Sequence, residues 1–371
     1  MSSESMRRHE SAYSTCAFCP KVCRFACPVS EATHDETTST WGKMTAAHMV
    51  AQDHRPLDKS TARALHACTG CMRCKSFCKH ENEVGYALFA ARAEAVEENL
   101  SPEGASATLL TFEETGNPFG ADLAQRLRDF PSEGASRYSF FPGCTPLVKA
   151  PGSVVDARFV AQAFGAPLGL TRVSEQCCGY PLYAAGAMDE LVAHARRLAK
   201  EFDAQGEWVV LDPGCAYTLA VVYPRIGVEL KTRILTWVEV VHAHRDHAPK
   251  KAPLDGRVAY HDACHLGRGL GKYEEPRELL GLCTHGVDEA AENRAEAGCS
   301  GGGGLLPRTM PELAVDVARR QAQKLPPGLP VVTACSTSRR MFERAGRTSY
   351  DLASFLRRWL EEGTAKPTGA P

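Results

Sequence analysis

CAFCPKVCRFACP (residues 16–28) and CTGCMRCKSFC (residues 68–78) place eight cysteines in two short runs. The first reads Cys16-x2-Cys19-x3-Cys23-x3-Cys27-Pro28, the second Cys68-x2-Cys71-x2-Cys74-x3-Cys78. A cubane iron–sulfur centre needs four thiolates converging tetrahedrally, and such spacings let a short loop present three of them while the fourth comes from elsewhere. Structural zinc is the competing reading of four-cysteine groups. Zinc motifs usually pair two residues, a gap and two more, whereas each run here supplies four closely spaced thiols and one ends in proline.

In two-cluster ferredoxins the fourth cysteine of each run serves the other cluster. That rule assigns Cys16, Cys19, Cys23 and Cys78 to one [4Fe–4S] centre and Cys68, Cys71, Cys74 and Cys27 to its neighbour. Two departures remove no ligand: the three-residue spacer before Cys23, which a bulge absorbs, and Lys79 where proline often stands. Lys21, Arg24, Arg73, Lys75, Lys79 and His80 interleave the ligands. They offset the charge of anionic clusters, meet an acidic partner, or are ordinary solvated surface.

The rest of the chain bounds the reading. Its 371 residues suffice for two or three domains, and a formal net charge of −1, with 43 Lys and Arg against 44 Asp and Glu, argues against nucleic-acid binding. Sixteen cysteines gathered in short-spaced groups suit inorganic centres better than disulfides. The start has no apolar leader and no apolar run is long enough to span a bilayer, so the expectation is a cytoplasmic protein whose membrane attachment, if any, comes through a partner at the inner face.

The expected division is a disordered lead over 1–15, a mostly helical two-cluster ferredoxin-like domain over 16–100, a connector over 101–135, two similar α/β cysteine-rich lobes over 136–250 and 251–363, and a tail over 364–371. Apolar strand candidates lead into cysteines four times: Tyr138–Phe141 into Cys144, Trp208–Leu211 into Cys215, Arg257–Tyr260 into Cys264, and Val331–Ala334 into Cys335. Alternation with amphipathic helices gives the α/β texture, and strand carboxyl ends are where such folds place chemistry. The lobe motifs are Cys144, Cys177-Cys178-Gly179 and Cys215, then Cys264, Cys299-Ser300-Gly301 and Cys335. The first lobe has four thiols, enough for a third centre; the three of the second are weaker metal candidates, with His261, Asp262 and His265 nearby. Gly301–Gly304 lacks the lysine of a phosphate loop and the spacing of a dinucleotide fingerprint, leaving an anion nest or a close turn. Cys283 belongs to no motif and reads as a buried apolar residue.

With CAFCPKVCRFACP, CTGCMRCKSFC, FFPGC, CCGYP, DPGC, HDACHLGR and CSGGGG in this order, the chain from Cys16 to its last helix resembles the iron–sulfur oxidoreductase subunits with paired cysteine-rich (CCG) domains. That family includes heterodisulfide reductase subunits, the iron–sulfur subunit of glycolate oxidase, one subunit of the anaerobic glycerol-3-phosphate dehydrogenase, and lactate-utilisation proteins. The resemblance implies electron transfer from a flavin-bearing dehydrogenase partner to a quinone or another carrier. It also implies a five-cysteine pattern per lobe, in which Thr218, Ser300 and Ser338 stand at cysteine positions. Those losses argue against disulfide reduction, and no catalytic residue is assigned. Two alternatives remain: lobes that themselves reduce a disulfide or small organic substrate, and lobes that are a non-catalytic docking scaffold.

Overall fold

The computed structural model describes residues 4–128, 130, 136–204 and 206–364. Its first part is helical, and local sequence explains each helix start. Pro28 opens Pro28–Thr33 at a position where its missing N–H costs nothing. Ser39 accepts the Gly42 N–H at 3.0 Å to cap Thr40–Ala51, and Asp58 accepts the Thr61 N–H at 2.7 Å to cap Lys59–His66. The long helix Val84–Glu97 is buried along most of its length, so every neighbour packs on it. The expected disordered lead is not observed: Glu4–Arg7 and Glu10–Ala17 are helical, Met6 and Tyr13 are fully buried, and the Tyr13 hydroxyl donates to the Ala87 carbonyl at 2.9 Å. Two apolar anchors in a polar segment were too few to read as a helix face. Residues 1–3, and the tail after Thr364, lie outside the described residues.

The two lobes are α/β, as the sequence predicts. In the first, β1 (Tyr138–Phe141), β2 (Leu168–Gly169), β3 (Trp208–Val210) and β4 (Ile234–Thr236) form a parallel sheet ordered β2-β1-β3-β4. In the second, β5 (Val258–His261), β6 (Val287–Asp288), β7 (Val331–Thr333) and β8 (Ser349–Asp351) repeat the plan as β6-β5-β7-β8. Trp208, Val209, Val210, Val331 and Val332 are fully buried, as central parallel strands covered on both faces must be. The topology places the ends of neighbouring strands side by side, β1 beside β3 and β5 beside β7, so Cys144 comes next to Cys215 and Cys264 next to Cys335.

The lobes and the helical part are joined without a spacer. A β-carbon at Gly303 would overlap the Thr69 carbonyl oxygen, and one at Gly304 that of Cys68. The glycine run is therefore the seam along which the second lobe lies against the Cys68–Cys71 loop, and close backbone approach accounts for its composition. Gly303→Val is expected to lower stability by about 1–3 kcal/mol through overpacking, read as an earlier midpoint in chemical denaturation. Gly152→Ala, whose added methyl meets nothing within 4 Å, should leave the midpoint in place.

Candidate metal centres

The two N-terminal runs interleave in space. Burial first, then the charges of Cys23, Cys78 and Cys19, push the Cys16 thiol up to about 12, against a lowering hydrogen bond from Asn82; those four cysteines are thus mutual neighbours. The Cys74 thiol is raised by burial and then by Cys71, Cys68, Cys27 and Cys23. Crossing arises because Cys78 folds back toward the first loop while Cys27, at the start of the Pro28 helix, turns toward the second. Cys27, Cys68, Cys71 and Cys74 line one small pocket together with Lys43, Thr69 and Met72.

Lys43 tests whether these residues suit an anionic centre. Its side chain is 2% exposed, and its Nζ donates to Cys27 Sγ at 3.3 Å and to the Ala67 carbonyl at 3.1 Å. Burial works against its charge, but the thiolates of Cys27, Cys68 and Cys74 outweigh it and hold the ammonium above its ordinary value. A buried ammonium is tolerated only beside negative charge, and the charges here are sulfur. The donor set fits a thiolate-ligated cluster. At the other group the donor is neutral: Asn82 Nδ2 gives one N–H to Cys16 Sγ at 3.1 Å and another to the Ala12 carbonyl at 2.8 Å.

Around this first group three large apolar side chains stand exposed among the cations. Phe18 is 82% exposed, Phe25 60% and Val22 55%, all on the loop that carries Cys19 and Cys23. Phe25 meets Phe77 edge-on with centroids 4.8 Å apart. The second group faces inward, against the glycine seam. There Cys299 Sγ donates to Thr69 Oγ1 at 3.4 Å and is within electrostatic reach of the Cys71 thiol, so the second lobe adjoins an expected cluster ligand.

The lobe cysteines divide into two cases. In the first lobe, Asp212 caps the helix after β3 by accepting from the Gly214 and Cys215 N–H groups at 2.8 and 3.2 Å, and so sets Cys215 at the strand end. Cys144 and Cys177 sulfurs lie 3.4 Å apart, and the buried Cys178 and Cys215 are within electrostatic reach of them and of each other, a group of four thiols. Burial would raise Cys178, yet hydrogen bonds from Cys177, Cys215 and the Tyr180 N–H hold it well below its ordinary value. In the second lobe Cys264 is within electrostatic reach of Cys299 and Cys335. Ser300 and Ser338, two of the three residues at cysteine positions, hydrogen-bond each other at 2.9 Å, and Thr218 spends its hydroxyl on the Gly214 carbonyl at 2.7 Å. Among the described residues no three His, Cys, Asp or Glu side chains close on one point where a single ion would sit. Cys283 is fully buried beneath Leu279 and Leu280, to whose carbonyls its thiol points.

Sequence reading missed Asn82 and Arg92, which act from outside the cysteine motifs, and Thr69 and Arg268, which lie within them but were given no role. Arg92, fully buried, gives hydrogen bonds to the carbonyls of Leu65, Cys68, Ala184 and Gly304. Arg268 Nε gives one to the Cys71 carbonyl at 2.7 Å. Lys43 did leave a signal, a lone cation among Met44, Ala46, Ala47 and Val50 on an otherwise apolar helix.

Comparison with known proteins matches this arrangement. A family model of the 4Fe-4S dicluster domain matches residues 12–82, and one of the cysteine-rich domain matches residues 138–220 and 258–343. One subunit of the fumarate reductase (CoM/CoB) of Methanothermobacter marburgensis is 29% identical over 314 residues, which are 82% of this chain and 62% of that protein. One subunit of the dihydromethanophenazine:CoB–CoM heterodisulfide reductase of Methanosarcina acetivorans is 27% identical over 281 residues, 70% of this chain and 67% of that one. Lactate utilization protein A of Oceanobacillus iheyensis is 25% identical over 160 residues, 40% and 64%. The chain thus spans about two thirds or less of the length of each of these relatives. With one dicluster module followed by two cysteine-rich modules, it belongs to the iron–sulfur oxidoreductase subunits built from a 4Fe-4S dicluster domain and paired cysteine-rich domains.

Proposed function

We propose that this chain is an electron-transfer subunit, taking single electrons from a flavin-dependent dehydrogenase partner and passing them to a quinone or another carrier. The observation that carries the reading is the buried Lys43 ammonium, whose charge partners are thiols of both cysteine runs. Cys16, Cys19, Cys23 and Cys78 would hold one [4Fe–4S] centre, and Cys27, Cys68, Cys71 and Cys74 the other. Such centres supply one-electron chemistry with little ligand movement, and the flavin of a partner converts hydride to single electrons. The residues of the chain do the rest. Asn82 and Lys43 orient N–H donors onto ligand sulfurs, which stabilises added negative charge. The glycine seam lays the second lobe's main chain against the loop that carries the inner ligands Cys68 and Cys71, and exposed Phe18, Val22 and Phe25 offer the partner an apolar contact beside the outer ones.

The four-thiol group of the first lobe favours a second reading, in which that lobe holds a third centre. In the second lobe, the Ser300–Ser338 pair leaves too few sulfurs for an all-thiolate cubane. No helix among the described residues is long and apolar enough to cross a membrane, so we place any membrane contact on the partner, at the cytoplasmic face.

Anaerobic iron and acid-labile sulfide analysis of the chain should give about 8 iron atoms for the N-terminal pair alone and about 12 with a third cubane. Cys71→Ser is expected to remove roughly half of the N-terminal iron and the matching paramagnetic signal while the lobes stay folded by circular dichroism; unchanged iron and sulfide sink the assignment. Phe25→Glu should weaken reduction by the partner about tenfold in KM through loss of an apolar contact, with iron content intact.

A further inference from the structure

Positive charge is distributed unequally between the two cysteine groups. Around Cys16, Cys19, Cys23 and Cys78 the cations are exposed or engaged elsewhere. Arg24, its side chain 64% exposed, pairs with Glu36 at 2.7 Å; Lys21 Nζ lies 3.5 Å over the Trp41 ring; Lys75 pairs with Glu83; Lys79 is exposed. Charges so placed are screened by water and salt. The side-chain hydrogen bond to a sulfur of this group comes from the neutral amide of Asn82.

Around Cys27, Cys68, Cys71 and Cys74 the cations are interior. Lys43 directs its charge at sulfur from one side, as described above. From the opposite side, across the domain boundary, comes Arg268 of the second lobe. Its Nε donates to the Cys71 carbonyl, and its Nη1 to the carbonyls of Ala297 and Ala295 at 2.7 and 3.2 Å. Its Nη2 is buried and, among the described residues, makes no hydrogen bond, while the positive charge acts on Cys71 and Cys264. A guanidinium held by three carbonyls with both N–H of one amino group left over is a donor waiting for an acceptor.

We propose that Lys43 and Arg268 make the inner centre the higher-potential member of the pair, so that an electron entering at the exposed face comes to rest beside the second lobe. This rests on the ligand assignment above. Reduction of a cluster adds one negative charge and moves no ligand. A fixed cation in a water-poor site therefore stabilises the reduced form more than the oxidised form. Asn82, a neutral donor, gives a smaller effect at the outer centre than a full charge does. Electron flow then has a built-in sense, from the Phe18–Phe25 surface inward to the loop that Cys299 touches.

The test is a redox titration of the full-length, anaerobically reconstituted chain followed by electron paramagnetic resonance, with iron and sulfide measured on every sample. The native chain should show two midpoints. Lys43→Met and Arg268→Gln should each lower the upper one and leave the lower one in place, Lys43→Arg should keep both, and Asn82→Leu should lower only the lower one. Full iron with both midpoints unmoved in Lys43→Met and Arg268→Gln overturns the proposal, as does a shift confined to the lower midpoint. Should Lys43→Met lose iron, Arg268→Gln decides by the same criterion. A native chain holding fewer than two centres overturns the ligand assignment itself, an outcome distinct from two centres that ignore the substitutions.

Discussion

The guanidinium of Arg92 holds the three parts of the molecule in one place. It stands over the Phe89 ring at 4.1 Å and reaches, with no exposure to solvent, carbonyls of the helical part (Leu65, Cys68), of the first lobe (Ala184) and of the second (Gly304). Five N–H groups in a rigid fork can serve carbonyls arriving from several directions, which an ammonium cannot do with comparable geometry. Burial lowers its pKa to about 10, still well above neutrality, so the knot keeps its charge. Arg73 works in the same way at another seam, joining the Ala26 carbonyl to Glu292 and the Glu296 carbonyl of the second lobe. Burying such groups has a desolvation cost that only full pairing offsets, so their geometry specifies one relative placement of the domains.

That placement gives the duplicated lobes different circumstances. Both present cysteines at the ends of neighbouring parallel strands, as the shared topology requires. The first gathers its four buried thiols, with the Cys144 and Cys177 sulfurs 3.4 Å apart, near Tyr223, whose hydroxyl donates to the Cys178 carbonyl at 2.9 Å. The second has two hydroxyls where its sister family members carry thiols, and those hydroxyls satisfy each other. Its remaining Cys299 is turned toward the helical part instead. One lobe thus keeps four neighbouring thiols, and the other lies with Cys299 against the helical part. Between the lobes, Tyr217 stacks on His265 with ring centroids 4.7 Å apart and planes within 5°, just where each lobe passes through a π-helical turn.

What could be read from residue order was what local spacing encodes. Two and three residues between cysteines, apolar runs of three or four before a cysteine, and amphipathic helices between them all lie within one turn or strand, and they led to the dicluster and the paired lobes. Contacts between residues far apart in sequence were not legible. Arg268 reaches a carbonyl 197 positions away and Arg92 one 212 positions away. Val155 and Phe159 are apolar residues of the helix Pro151–Ala163 that residue type alone would bury, yet each is 41% exposed, because the face that packs inward is the one carrying Val154, Ala157, Val160 and Ala161. The tetraglycine was ambiguous for the same reason: absence of side chains announces close approach but not the approaching surface.

That seam has main chain on both sides. Where a protein joins two modules through interdigitated side chains, each rotamer hop, on the picosecond to nanosecond scale, alters the gap a little. Gly303 and Gly304 against Thr69 and Cys68 have almost nothing to rotate at the point of contact. The separation between the Cys68–Cys71 loop and Cys299 is thereby insulated from thermal side-chain noise, and the wall that the second lobe presents to that loop keeps a nearly constant distance.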